Sequence, residues 1–213
     1  MKYQLTTITA ALLLAACSSP PETGRTDSQP ANPANKETVK MSENKTPLEA
    51  QRALLTNVLE MMKTSESIKD FTRERLEQVF SVKMIPHENE LDSYVFSKEL
   101  TKNWWWGLNK SRDSVEKLDG FQLFFEPTEQ FRSSHEPNEN PNIGEICGMD
   151  YDEFVQKAEK LGFIQNPNIV QDGMQMGVYL NKGDLQVKVL PLYYYVANNP
   201  TEQKICIRMI QIG

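Results

Sequence analysis

The chain has 213 residues, with 23 basic and 29 acidic side chains and a formal net charge of −6 at pH 7. This acidic balance does not suit binding to nucleic acid or to anionic lipid headgroups, because both repel negative charge. The length leaves room for one domain with a substantial hydrophobic core.

The N-terminal segment has the organisation of a secretion signal. Lys2 supplies a positive charge, and residues 5–16 are mostly apolar and contain no acidic side chain. About twelve residues are too few to cross a bilayer as a helix, which takes roughly 20. We therefore interpret residues 1–16 as a signal peptide that takes no part in the fold.

The signal ends at Leu14-Ala15-Ala16-Cys17, which resembles the cleavage motif of bacterial lipoproteins. The resemblance implies that Cys17 becomes the mature N-terminus and carries palmitate-type acyl chains, two of which anchor a protein stably. In that family an aspartate after the cysteine favours the inner membrane. Ser18 therefore implies an outer-membrane lipoprotein that faces the periplasm. An ordinary secretion signal with an incidental cysteine is the alternative.

A polar segment follows the cysteine. From Ser18 to Thr46 the only sizeable apolar side chains are Val39 and Met41. Such a composition cannot bury enough apolar surface to offset chain entropy. We expect the lipidated cysteine and a disordered linker at residues 17–46, followed by a single domain at residues 47–213.

Three helices are predicted in that domain. The first begins at the capping box of residues 46–49 and runs to about Lys63. The second lies in "IKDFTRERLEQVF", residues 68–80, whose apolar side chains form one stripe. The third begins after Asp150 and ends near Lys160.

Six segments have the composition of strands: "SYVFSKEL", "WWWGL" and "GFQLFFE", then "MGVYL", "LQVKVLPLYYYV" and "KICIRMIQI". They predict an α+β fold with helices packed on one face of an antiparallel sheet. The halves 47–126 and 147–213 would each hold a helix followed by three strands. Their spacing fits a tandem repeat, and it equally fits two unrelated segments.

Two resemblances concern the folded domain. Tandem units of a helix and several strands behind a secretion signal are similar to the β-lactamase inhibitor protein fold. A lipidated cysteine, a polar linker, two helices and a small sheet resemble the small lipoprotein of the outer-membrane barrel-assembly machine. Both imply a sheet with helices on one side and its other face free to bind protein.

Cys147 and Cys206 remain once Cys17 is lipidated. In an oxidising envelope compartment we expect them to form a disulfide. Closing a loop of about 60 residues would stabilise the fold by roughly 4 kcal/mol. Two buried free thiols are the alternative.

Sequence patterns typical of enzymes are missing. The chain has no G-x-S-x-G, no Gly-rich phosphate loop and no H-E-x-x-H. His87 and His135 each lie beside a glutamate in a polar, turn-rich context, which favours solvated loop residues over a metal ligand or a general base. We predict no catalytic residue, metal site or cofactor, and keep the carboxylate pair of a hydrolase as an alternative.

Two aromatic triplets lie in predicted strands. Alternate residues of a strand point to opposite faces, so each triplet places rings on both sides of the sheet. Aromatic and arginine side chains on an open face are typical of binding hot spots. Alternatively, the rings cover an edge or pack under a loop. The predicted partner-binding residues are Trp104, Trp105, Trp106, Phe124, Tyr193, Tyr194, Tyr195 and Arg208.

Residues 126–145 form a long connection with five glutamates and one arginine. A loop of this length inside a compact domain is usually functional or disordered. Two interpretations follow: a solvated, disordered loop, or an acidic arm that steers a basic partner.

Together these features favour a lipid-anchored outer-membrane protein that faces the periplasm and binds another protein there. The most concrete form is an immunity or inhibitor lipoprotein that blocks an envelope-acting toxin or hydrolase. The alternatives are an accessory lipoprotein of outer-membrane assembly and an envelope hydrolase.

Overall fold

The computed structural model describes residues 45–213 except 89–91, 113–118, 137–138, 167–168, 172–173 and 197–198. It describes the backbone alone at residues 112, 119, 169–171, 174–176, 195–196 and 199–202. The expected signal peptide, Cys17 and the expected linker up to residue 44 lie outside the described residues.

The α-helices of the described chain are α1 Pro47–Thr64, α2 Arg73–Phe80, α3 Glu129–Ser134 and α4 Tyr151–Lys160. Short 3₁₀ turns lie at Ile68–Asp70 and Ile143–Glu145. The predicted capping box is confirmed, because the Thr46 side chain accepts from the Glu49 N–H and the Glu49 carboxylate accepts from the Thr46 N–H.

The second predicted helix is shorter than its apolar stripe. Asp70 accepts hydrogen bonds from the N–H groups of Glu66 and Ser67, which lower the pKa of the Asp70 carboxyl and close a separate 3₁₀ turn. Thr72 then caps α2 by accepting from the Arg75 N–H. The helix therefore begins at Arg73 rather than at residue 68.

All six predicted strand segments are confirmed, and three further strands of two or three residues in the described part of the chain were missed. The strands are β1 Ile85–Pro86, β2 Tyr94–Glu99, β3 Trp104–Arg112, β4 Asp119–Pro127, β5 Ile164–Gln165, β6 Ile169–Gln171, β7 Met174–Lys182, β8 Leu185–Val196 and β9 Asn199–Ile212. Strands as short as β1, β5 and β6 carry too few residues for a periodic signal.

The strands form an antiparallel sheet in the order β1-β2-β3-β4-β9-β8-β7-β5, with β6 also paired to β7. The consecutive strands β2, β3 and β4 adjoin β9, β8 and β7 through the pairing of β4 with β9, in which Phe121 lies opposite Ile212. The fold is thus α+β, and the last strands of the two halves meet in the middle of the sheet.

Alternate side chains of the long strands lie in one core with the helices. Trp106 of β3 and Phe121 of β4 are fully buried. The Phe80 ring of α2 lies 6.4 Å from the Trp106 ring and 6.1 Å from the Phe121 ring, centroid to centroid. Phe71 stacks on Phe121 at 5.6 Å. Aromatic packing therefore joins α2 and the 3₁₀ turn before it to these side chains of β3 and β4.

Helix α1 is joined to α4 and to the segment before it by polar contacts. The buried Gln51 side chain donates to the Met149 carbonyl at 3.3 Å and accepts from the Met149 N–H at 2.8 Å. Arg52 donates to both carboxylate oxygens of Glu153, at 2.6 and 2.8 Å. These bonds link the two halves of the chain.

The sulfur atoms of Cys147 and Cys206 lie at bonding distance, and their Cα atoms are 5.8 Å apart, which fits the predicted disulfide. A bulge lies close by in β9: Met209 and Ile207 face consecutive residues of β8, so Arg208 has no residue opposite it. The bulge interrupts the alternation of β9. The neighbouring residues Cys206 and Ile207 are accordingly both fully buried, which strict alternation does not allow, and Cys206 lies against Cys147.

Candidate functional site

The strand side chains that alternate with the core residues lie on the other side of the sheet, which we call the outer face. Trp105 is partly exposed there, whereas its neighbours Trp104 and Trp106 are fully buried. The Trp105 ring meets the partly exposed Phe124 ring edge-on, with centroids 5.2 Å apart. The outer face of β3 and β4 thus carries an aromatic pair.

Gly107 makes room for this pair. It lies directly opposite Phe124, and a Cβ atom at Gly107 would lie 2.5 Å from Phe124 Cζ and 2.9 Å from the Phe96 carbonyl oxygen. The absence of a side chain therefore lets the Phe124 ring settle against the backbone of β3.

Carboxylates flank the Trp105 side of the pair. Register places Glu99 of β2 and Glu126 of β4 on either side of Trp105. Arg132 of α3 binds Glu126 at 2.5 Å, and Trp105 Nε1 donates to the Pro127 carbonyl at 2.9 Å. The indole is held by both its ring and its N–H, between the exposed Glu99 and the ion pair of Glu126 with Arg132.

A row of polar side chains crosses the strands beside the aromatic pair. Successive register partners on β3, β4, β9 and β8 are Asn109, Gln122, Gln211 and Lys188, which we call the amide row. The row ends at Tyr179 of β7, whose ring centroid lies 5.9 Å from Lys188 Nζ. Asn109 Oδ1 is shielded from solvent and has no hydrogen-bond partner in the described part of the chain.

A second row lies two residues further along each strand. Its register partners on β4, β9 and β8 are Phe124, Met209 and Leu190, which we call the apolar row. All three side chains are partly exposed. The outer face therefore presents adjacent apolar and amide surfaces, which can bury side chains and orient a ligand by hydrogen bonds.

The structure places two of the eight predicted binding residues on this face. Trp105 and Phe124 lie on it. Arg208 is partly exposed at the β9 bulge. Trp104 and Trp106 lie in the core, because strand alternation sends the neighbours of Trp105 inward. They offer no surface to a partner, and the candidate site leaves them out.

The tyrosine triplet lies on β8 beyond its shift in register. The Tyr193 side chain is 38 % exposed. Tyr194 packs against the core, with its ring beside Gly144. The side chain of Tyr195 lies outside the described residues. The triplet is thus split by alternation, as the tryptophan triplet is.

Sequence reasoning missed the two rows. Alternation places Gln122, Met209 and Gln211 on the outer face, and this signal was available. Their alignment across the strands depends on the register between β4 and β9, which are distant in the chain. No local pattern encodes that register.

The acidic connection at 126–145 contains secondary structure in its described parts, namely α3 and the turn Ile143–Glu145. Thr128 Oγ1 donates to the Lys102 carbonyl at 2.8 Å, and Trp104 Nε1 donates to the Asn142 carbonyl at 3.3 Å. His135 is exposed and stacks on Phe131 at 3.7 Å. These contacts attach the connection to the strand ends beside Trp105.

An open cleft of about 400 Å³ lies near the 3₁₀ turn that precedes α2. Arg73 in this cleft is paired with Glu77 at 2.9 Å and stacks 4.6 Å over the Tyr94 ring, so its guanidinium already has structural partners. The cleft is lined by Ile68, Lys69, Phe71, Thr72, Arg73, Asp92, Tyr94 and Lys110.

No three His, Cys, Asp or Glu side chains of the described chain gather as metal ligands would. None of the helices in that part of the chain is both long and apolar enough to cross a membrane.

No family model, curated protein or solved structure matches the chain.

Proposed function

We propose that the chain is a lipid-anchored, periplasm-facing protein that binds another protein through the outer face of its sheet. The observation that carries this proposal is the amide row beside the apolar row, with Trp105 and Phe124 at one end. When a partner covers aromatic and aliphatic side chains that are half-buried in the free chain, the burial of their apolar surface stabilises the complex.

The proposal includes a finer description of the fold. Helices α1, α2 and α4 cover one side of the sheet and leave the outer face open, and the two halves are tandem units that meet at β4 and β9. The common core of these helices with alternate strand residues supports the first point. The strand order, in which two three-strand series adjoin, supports the second.

The size of the face also supports a protein ligand. With Val95 of β2, the register partner of Asn109, and Tyr179 of β7 at its two ends, the amide row crosses six strands. At about 4.8 Å between strands this spans roughly 24 Å. A protein–protein interface of about 800 Å² per partner has a similar width.

The most concrete version is an immunity or inhibitor lipoprotein that blocks an envelope-acting toxin or hydrolase. The motif at residues 14–17 supports the lipid anchor. The segment at 18–46 would give a root-mean-square reach of about 30 Å from the membrane. An accessory role in outer-membrane assembly is the alternative that the partner recovery below separates from inhibition, and an envelope hydrolase is the second alternative.

The anchor is tested by Cys17→Ser. The thioether requires the cysteine sulfur, so the variant should leave the membrane pellet and appear in the soluble envelope fraction. A variant that still sediments with the membranes would contradict the lipoprotein proposal.

The binding face is tested with a matched pair of leucine variants. The detergent-extracted full chain is immobilised and used to recover partners from solubilised envelopes. Leu190→Ala, in the apolar row, should reduce recovery, whereas Leu48→Ala, on α1 with 43 % exposure, should not. Equal recovery by both variants would contradict the assignment of the face. A recovered toxin or hydrolase supports inhibition, and barrel-assembly components support the accessory role.

A further inference from the structure

We infer that the outer face binds an extended, basic segment of the partner polypeptide, which lies across the strands along the two rows. This inference rests on the proposed function and specifies the chemistry of its partner. Three features of the outer face carry it: the direction of the rows, the chemistry of the amide row, and the charge at the Trp105 end.

The rows run across the strands, because each is built from register partners on neighbouring strands. They are two residues apart along each strand, or about 7 Å. An extended chain that follows them can place its peptide groups on the amide row and every second side chain on the apolar row. A span of about 24 Å accommodates about seven residues at roughly 3.4 Å each.

The amide row suits peptide groups. Each Asn or Gln side chain offers a donor and an acceptor on one planar group, as a peptide does. Asn109 Oδ1 accepts no hydrogen bond in the described part of the chain. If the side chain rotates toward an N–H of the bound segment, Oδ1 gains a hydrogen bond without losing one. Met209 and Leu190 favour a polypeptide over a glycan strand, whose hydroxyl groups would lose hydration against them.

The charge of the face sets the direction of the segment. Glu99 beside Trp105 at the β2–β4 end is exposed, and so is Glu129 of the adjoining α3, whereas Glu126 on the other side of Trp105 is already paired with Arg132. At the opposite end Lys188 lies near Tyr179. A Lys or Arg of the partner at the β2–β4 end would meet the carboxylate of Glu99 and the face of the Trp105 ring. The basic end of the segment therefore lies over β2–β4.

The test is photo-crosslinking in cells with the full-length, lipidated chain. A benzophenone amino acid replaces Gln122 or Gln211 in the amide row, or Lys188 at its far end. Control positions are Gln78 on α2 and Gln156 on α4, which are exposed glutamines on the helices. The three outer-face positions should give adducts with one partner, and the two controls should give none.

Sequencing the attached peptides tests the inference itself. The crosslinks from positions 122, 211 and 188 should fall in that order along one continuous segment, the first and last about three residues apart, because the strands that carry them span about 10 Å. Its lysine or arginine should lie at the end attached to position 122. Attachment points far apart in the partner's sequence, or a basic residue at the opposite end, would overturn the inference while the proposed function stands. Adducts with glycan, or no adducts from the outer face, would overturn both.

A charge variant tests the basic end separately. Glu99→Gln should lower the crosslinking yield at position 122 by about threefold to fivefold, because it removes one partly solvated ion pair. The matched variant Glu74→Gln on α2 is exposed and should leave the yield unchanged. Equal yields in the two variants would overturn the assignment of a basic residue to this end.

Discussion

The two faces of the sheet use aromatic residues differently. Trp104, Trp105 and Trp106 are consecutive and chemically identical, yet Trp104 and Trp106 are fully buried and Trp105 is partly exposed. The buried Trp106 ring packs 5.1 Å from the Phe96 ring and 6.4 Å from the Phe80 ring, whereas among the described residues the Trp105 ring contacts the half-buried Phe124 ring alone. Residue type alone therefore does not tell whether an aromatic ring stabilises this fold or is available to a partner.

The largest effect on stability should come from the side of the sheet that lies in the core. Trp106→Ala should lower the free energy of unfolding by about 3 to 5 kcal/mol, through lost burial and a cavity. Trp106→Phe is the control, since it keeps a ring and removes an indole N–H that has no partner among the described residues. Urea melts measure both. A Trp106→Ala loss no greater than that of Trp105→Ala would break the distinction between the faces.

The disulfide should have a similar effect, because it ties the β9 bulge to the segment before α4. Cys147 and Cys206 are 59 residues apart. Replacing both by serine should lower the free energy of unfolding by roughly 4 kcal/mol in the chain-entropy model. Melts of the oxidised protein, the reduced protein and the double variant test this. If reduction leaves the melt of the native chain unchanged, the predicted bond is absent or contributes nothing.

On the outer face the loss should appear in binding. Trp105→Ala should fold with a modest loss of stability and weaken binding to the recovered partner by about 2 kcal/mol or more if the residue is a hot spot. Isothermal titration with that partner measures the affinity, and a melt of the same sample checks folding. Unchanged affinity in a folded variant would remove Trp105 from the interface.

One buried and one exposed glutamine allow the same comparison between core and outer face, with a smaller expected effect. The Gln51 side chain is buried and bonds both backbone groups of Met149. Gln51→Ala leaves the N–H and carbonyl of Met149 without these hydrogen bonds and should lower the free energy of unfolding by about 1 to 3 kcal/mol. Gln211→Ala in the exposed part of the amide row should change stability by less than about 0.5 kcal/mol. Melts that show equal losses would mean that the amide row also supports the fold.

Much of the fold follows from local patterns. The capping box at Thr46 and the alternation in β3 and β4 depend on residues close together in the chain, and both are confirmed. The start of α2 was misplaced, because the Asp70 turn competes with the helix for the same apolar stripe.

The candidate site was less predictable. The outward position of Trp105 follows from parity, once the core side is known. The alignment of Gln122 with Gln211 requires the register of strands distant in sequence, and the bulge at Arg208 shifts that register further along β9. Long-range pairing is fixed by the whole core, so a single sequence does not reveal it.

The smallest expected effect lies between α1 and α4, away from the outer face. The hydrogen bonds from Arg52 lower the pKa of the Glu153 carboxyl. A carboxyl whose pKa is lower in the folded chain contributes stability above its unfolded pKa of about 4.3, and that contribution is lost as pH falls through the folded pKa. The Arg52 and Glu153 side chains are 48 % and 31 % exposed, so the contribution at neutral pH should be at most about 1 kcal/mol.

Glu153→Gln should therefore lower Tm slightly at pH ~7 and have no effect at strongly acidic pH. The control Glu159→Gln, exposed on the same helix, should have no effect at either pH. A Tm difference that persists in acid would mean that Glu153 acts through packing rather than through its charge.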